Sequence, residues 1–207
     1  MRLLHKLTDQ SVNLCGAIVM STKKEQKRQA LLRAALELFA ENGFNGASTA
    51  LIAKRAGVAS GTLFFHFKNK EELIHSLFAE IREKIDLEVL KDVPADLPVR
   101  ERLSRMLSNL LRYFLAHPAE FKFAEQYHFS PLNNQGQGFR EENETFHALL
   151  LQAREQQMIK DIPLLCLEAI AFGPISSLAK EHANRGTPID DEMVRVTIAA
   201  CWDALKR

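Results

Sequence analysis

The chain has 207 residues, 46% hydrophobic and 26% charged, which is enough apolar material for a sizeable core and excludes a disordered chain. Its net charge of +1 hides an asymmetry: residues 21–70 carry nine Lys/Arg against three Asp/Glu, while the chain from Glu71 onward sums to −6, so only the first part is expected to meet a polyanion. The three cysteines, Cys15, Cys166 and Cys201, are odd in number and far apart, with no CxxC or Cys/His cluster; neither a disulfide framework nor a zinc site is indicated, which fits a reducing cytoplasm.

Nine glycines and seven prolines, set among long stretches of helical period, predict an all-α fold of about nine helices. Residues 1–21 are expected to be an extension or disordered tail. The apolar patch Leu14–Met20 is short and no A-x-A-like site follows it, so it makes a poor signal peptide. Met20-Ser-Thr-Lys-Lys instead reads as a natural start leading into a helix. No apolar run approaches the roughly 18 residues that a membrane span needs.

The first helix is predicted over 23–42, with Leu31, Leu32, Ala35, Leu38 and Phe39 on one face and Gly43 just past its end. Ser48 or Thr49 caps a second helix over 50–56, with Ile52, Ala53 and Ala56 inward. Gly57 turns the chain, and a third helix covers 60–67, anchored by Leu63 and Phe67. Two short amphipathic helices split by a glycine turn are the build of a helix-turn-helix, whose second helix lies in the DNA major groove. Asn69 with Glu72 three residues on forms a capping box for a fourth helix that runs to about Lys91. Further helices are expected over 99–116, 119–128, 139–158, 162–184 and 189–206, with a loop at 131–138 and a local opening at Gly173-Pro174. This divides the chain into a DNA-binding domain at 22–81 and a ligand-binding and dimerisation domain at 82–207.

Catalytic signatures are missing: there is no GxSxG, no HExxH, no Walker lysine loop and no dinucleotide glycine fingerprint. An enzyme or a pure interaction protein is therefore disfavoured, and no cofactor or metal is expected. Free N–H groups of Gly61 and Thr62 at a helix start offer an anion site. Lys27, with Lys23, Lys24 and Arg28, neutralises phosphates. Ser60 and Phe65 are candidates for base edges, and His66 for a phosphate or a backbone carbonyl. In the acidic half, Met106, Phe114, His117, Phe123, Tyr127 and Phe146 are candidates to line a cavity for a small apolar or amphipathic ligand, with plain core as the alternative role of each.

The run A-x-x-L-F-x-E-x-G-F, then S-T-x-x-I-A-x-x-A-G-V, then G-T-L-F-x-H-F-x-x-K-E-x-L, from Ala35 to Leu73, resembles the TetR/AcrR family of bacterial transcriptional regulators. The resemblance implies a homodimer of nine or ten helices per subunit. Its third helix enters the major groove, helices four to seven enclose a ligand pocket, and the last two helices pair with their partner's as a four-helix bundle. Residue by residue, it implies DNA contacts at Thr49, Ser60, Gly61, Thr62, Phe64, Phe65 and His66, with Lys70 on a phosphate. Two positions depart from the pattern. Phe64 stands where the family usually has tyrosine, and so loses a hydroxyl; Ala59 stands where serine often caps the third helix. The expected function is a cytoplasmic repressor released from a palindromic operator by a small molecule. An activator or global regulator of the same fold without small-molecule control is the alternative.

Overall fold

The computed structural model describes residues 4–133 and 144–207, with side chains described for 23–133 and 145–207. Among the described residues there are nine α-helices and no strand: α1 Leu4–Gly46, α2 Thr49–Arg55, α3 Ser60–His66, α4 Lys70–Val89, α5 Val99–Ala116, α6 Pro118–His128, α7 Glu144–Glu155, α8 Leu164–Arg185 and α9 Asp191–Leu205. They fall into two compact units, Met1–His75 and Ser76–Arg207, whose boundary lies within α4.

In the first unit, α1, α2 and α3 pack around Leu31, Leu38, Phe39, Ile52, Leu63 and Phe67, all essentially buried. α1 starts at Leu4 rather than near Lys23, running through most of the segment expected to be an extension or tail. With no proline between Leu4 and Lys23 nothing stops the helix from propagating upstream once nucleated. Gly43, at φ 70 and ψ 172, interrupts it where a C′ glycine is expected. Ser48 caps α2, its hydroxyl accepting from the Leu51 N–H at 3.2 Å. α2 closes in a Schellman motif: the Gly57 N–H donates to the Lys54 carbonyl at 3.1 Å and the Val58 N–H to the Ala53 carbonyl at 3.0 Å, with Gly57 at φ +67. Ala56, expected inward, is the half-buried C-cap of this motif, because the turn rotates it off the core face. Arg55 reaches back from α2 to Glu37 at 3.3 Å and Glu41 at 3.2 Å on α1. The capping box at α4 forms with a shift of one residue: Asn69 Oδ1 accepts from the Glu72 N–H at 2.8 Å, while Glu72 Oε2 accepts from the Lys68 N–H at 2.5 Å.

The second unit is built on α5, which packs against α6, α7, α8 and α9. Its apolar residues Leu103, Met106, Leu107, Leu110, Leu111 and Phe114 recur at helical spacing and are buried. α4 joins this unit through long side chains. Phe78 stacks on Tyr127 at 3.9 Å between ring centroids, Lys84 Nζ meets Glu120 at 2.9 Å, and Asn109 Nδ2 donates to the carbonyls of Val89 and Lys91 at 3.2 and 2.8 Å. Among the described residues two carboxylates are buried, and both are paired: Glu120 also accepts from the Tyr113 hydroxyl, and Glu168 of α8 pairs with His147 of α7. Burial, and next the hydrogen bond to Glu120, push the Tyr113 phenol well above its usual range. α7 is described from Glu144 to Glu155; the expected start at Phe139 and residues 134–138 of the expected loop lie outside the described residues. α8 is helical on both sides of Gly173-Pro174, although Pro174 has no N–H to offer the turn before it. Asp190 caps α9, accepting from the Met193 N–H at 2.8 Å.

Candidate DNA-binding face and ligand cavity

A seven-residue helix has room for one inward and one outward face, and α3 divides them by its period. Leu63 and the C-cap Phe67 turn inward and are buried, which pins the helix to α1 and α2. Ser60, Gly61, Phe64 and Phe65 are exposed on the other side. Phe64 and Phe65 are 55% and 69% exposed, an unusual cost for two large apolar rings. Phe65 meets the His66 ring edge-on at 5.3 Å, and Lys24 Nζ lies 5.3 Å from the Phe65 centroid. Lys23, Lys24 and Lys27 are exposed on α1, whereas Arg28 lies over the Phe67 ring at 5.6 Å and beside Glu25 at 3.6 Å.

Ala59 is the N-cap of α3 with no side-chain cap bond, so the Ser60 hydroxyl is not taken up as a cap and stays on the exposed face. Thr49 is half-buried at the first position of α2, its hydroxyl relieved of capping by Ser48. The Thr62 N–H, expected free for an anion, donates instead to the Ala59 carbonyl at 2.8 Å, because the first turn of α3 closes tightly. His66 is half-buried; desolvation, and then the field of Lys24 and Arg28, lower its pKa below 6.5, so at neutral pH it is an uncharged donor. The Lys70 side chain lies between α1 and α4. Its ammonium donates to the Phe44 carbonyl, its Nζ lies 5.9 Å from the Phe39 centroid, and burial lowers its pKa. It ties the end of α1 to the start of α4.

The second unit encloses a cavity of about 230 Å³. This exceeds the ~150 Å³ void that suffices for a benzene-sized guest. Its walls come from five helices, with Ile85 and Val89 of α4, Met106 and Leu110 of α5, Phe121 of α6, Phe146 of α7 and Phe172 of α8 supplying much of the apolar surface. Arg82, Asp86, Glu125, His128 and Ser176 are the polar groups at the wall. Three of them are charge-paired: Arg82 Nε with Asp86 at 3.4 Å, and Glu125 with Lys180 at 2.8 Å. Gly173 also lines it, and a Cβ built there meets nothing within 4 Å.

Of the six residues expected at the cavity, Met106, Phe114 and Phe146 line it. The other three do not. Phe123 is fully buried in core, Tyr127 is taken up by its stack on Phe78, and His117 is exposed at the turn between α5 and α6, its ring 4.5 Å from that of Tyr113. The α4 and α8 wall residues escaped sequence reading because only tertiary packing brings them to the aromatic cluster. The one local hint was Gly173-Pro174. Among the described residues no cluster of His, Cys, Asp or Glu is arranged to hold a metal, and no helix is long and apolar enough to cross a membrane.

Residues 31–77 match the family described as bacterial regulatory proteins, tetR family, and residues 98–206 match the tetracyclin repressor-like C-terminal domain. A TetR family transcription regulator from Marinobacter aquaeolei VT8 has a similar structure, with a TM-score of 0.78 at 25% identity, covering 90% of this chain and 98% of that one. A TetR-type transcriptional regulator from Vibrio parahaemolyticus is 30% identical with a TM-score of 0.69, covering 87% and 99% of the two chains. The fatty acid metabolism regulator protein of Bacillus subtilis strain 168 is 36% identical over 86 residues, 42% of this chain and 44% of that protein. The match thus spans less than half the length of that curated relative.

Proposed function

The chain belongs to the tetR family of bacterial regulatory proteins, and from that premise we propose that it is a homodimeric repressor which leaves a palindromic operator when a small ligand enters the cavity of its second unit. Its activity is DNA-binding regulation of transcription, and it is not an enzyme. The finer reading rests on chemistry. Ser60, Phe64 and Phe65 face the major groove, Gly61 lets the backbone approach, Thr49 and His66 flank them, and Lys23, Lys24 and Lys27 neutralise phosphates. Two such helices read a palindrome when they stand about 34–36 Å apart, one turn of DNA.

The observation that carries the ligand-responsive reading is that α4 forms one wall of the cavity through Arg82, Ile85, Asp86 and Val89. Only three residues, 67–69, separate that helix from α3 in the chain. A guest wedged against the wall displaces α4 and, through it, the recognition helix. Ligand and operator then favour different states, and each weakens the other's binding by the same factor. The cavity supports this reading over a regulator without small-molecule control. Its apolar walls with a few polar groups suit an amphipathic guest, and the name of the Bacillus subtilis relative makes an acyl chain the first guest to try.

Dimerisation is assigned to α8 and α9. Leu165 on α8, and Met193 and Val196 on α9, stand out of the second unit as exposed apolar groups of the kind that pairing buries. The test is operator binding followed by fluorescence anisotropy while medium- and long-chain fatty acids and their thioesters are titrated in. Release by one chain-length class supports the proposal. Indifference to every guest, together with a cavity that binds none of them in calorimetry, contradicts ligand control.

A further inference from the structure

We propose that Phe64 and Phe65 read the 5-methyl group of a pyrimidine, so that each half-site contains a thymine, or a 5-methylcytosine, against the outer face of α3. The inference rests on the reading of that face as the DNA-contacting one and adds what it reads. The two rings are 55% and 69% exposed on a module whose charge is strongly positive over residues 21–70. Such a surface attracts a polyanion, yet neither ring carries a donor or an acceptor. Phosphate oxygens and the hydrogen-bonding edges of bases therefore gain nothing from them, and the apolar group that the major groove presents is the methyl at pyrimidine C5.

A second observation points the same way. Gly61 lies on the same face, its φ is not in the left-handed region, and a Cβ built there meets no protein atom within 4 Å. The fold itself does not require glycine here, and glycine in a helix is disfavoured relative to alanine. The missing side chain is explained by something outside the chain approaching closely, which is what rings seated on base edges need. Phe65 is also held in place before any partner arrives, edge-on to His66 at 5.3 Å with Lys24 Nζ 5.3 Å from its centroid.

The experiment uses the full chain and an operator obtained by selection from random duplex DNA. At each half-site thymine the base is replaced by deoxyuridine, which removes only the methyl. In a second series the pair is changed to cytosine–guanine, with the cytosine either plain or 5-methylated. At one thymine position in each half-site the loss of a methyl is expected to weaken binding about fourfold, and about fifteenfold for both half-sites together, the scale of one buried methyl group. Methylating the substituted cytosine restores a similar factor; if it does not, the site reads thymine alone. In Phe65→Ala or Phe64→Ala, substitutions at exposed positions, the ratio of thymine to deoxyuridine affinity falls to about one for the ring that makes the contact. Equal affinity for thymine and deoxyuridine duplexes at every position, with specific binding intact, overturns the inference and leaves the DNA-binding reading standing. Failure of the selection to enrich any sequence overturns both.

Discussion

Gly61 and His66 carry the residue-scale content of the recognition helix. Because a Cβ at Gly61 meets nothing in the protein, Gly61→Ala is expected to leave the melting temperature unchanged or raise it by the equivalent of up to about 1 kcal/mol. The same change is expected to weaken operator binding by tenfold or more. A variant that binds as tightly as the parent removes the close-approach role. His66 has its pKa lowered below 6.5 by desolvation first, and by Lys24 and Arg28 next. The unfolded chain therefore takes up this proton at higher pH than the folded one. The stability the neutral ring contributes is complete above about pH 6.5 and is lost as pH falls through the lowered folded value. Proton NMR titration of the free protein is expected to give His66 a midpoint under 6.5 that climbs with added salt, as the lysine and arginine fields are screened. A midpoint above 6.5 at low salt contradicts the geometry around the ring.

At the scale of elements, the cavity depends on how α4, α5, α6, α7 and α8 share its wall. Ser176 is an exposed wall residue, so Ser176→Phe fills space at the wall without cutting into the core. This variant is expected to keep operator affinity within about threefold while losing the thermal stabilisation that a bound guest supplies. Unchanged ligand-induced stabilisation places the guest elsewhere. The helix-turn-helix was legible in the sequence because its signals are local: the Ser48 cap, the Gly57 turn and the Leu63–Phe67 spacing all fall within twenty residues. The Lys70 contact with the carbonyl of Phe44 was not legible, because that partner lies 26 residues away, where helical period carries no information. The cavity was half legible for the same reason. Aromatic residues on α5, α6 and α7 announced an apolar cluster, but which of them face a void and which fill the core depends on packing. Phe123 and Phe114 look alike in sequence and differ only in what tertiary structure puts opposite them.

For the whole molecule, the division into a basic module and an acidic remainder runs close to the boundary between the two compact units. Joining two recognition helices at one helical turn of DNA requires a second copy, and the exposed apolar groups of α8 and α9 are the surface assigned to it. Val196 is half exposed on α9, so Val196→Asp costs the isolated subunit little. In light scattering this variant is expected to run as a monomer with unchanged helical circular dichroism and to bind a full operator no more tightly than a half-site. A dimer of parental mass moves the interface off α9. The central claim, a dimer that reads a palindrome through α3, is tested most directly by footprinting the purified protein across the DNA that flanks its own gene. The account expects one protected palindrome, with half-site centres about 34–36 Å apart and protection that falls steeply with salt. Even protection of the whole fragment, without preferred positions, contradicts it.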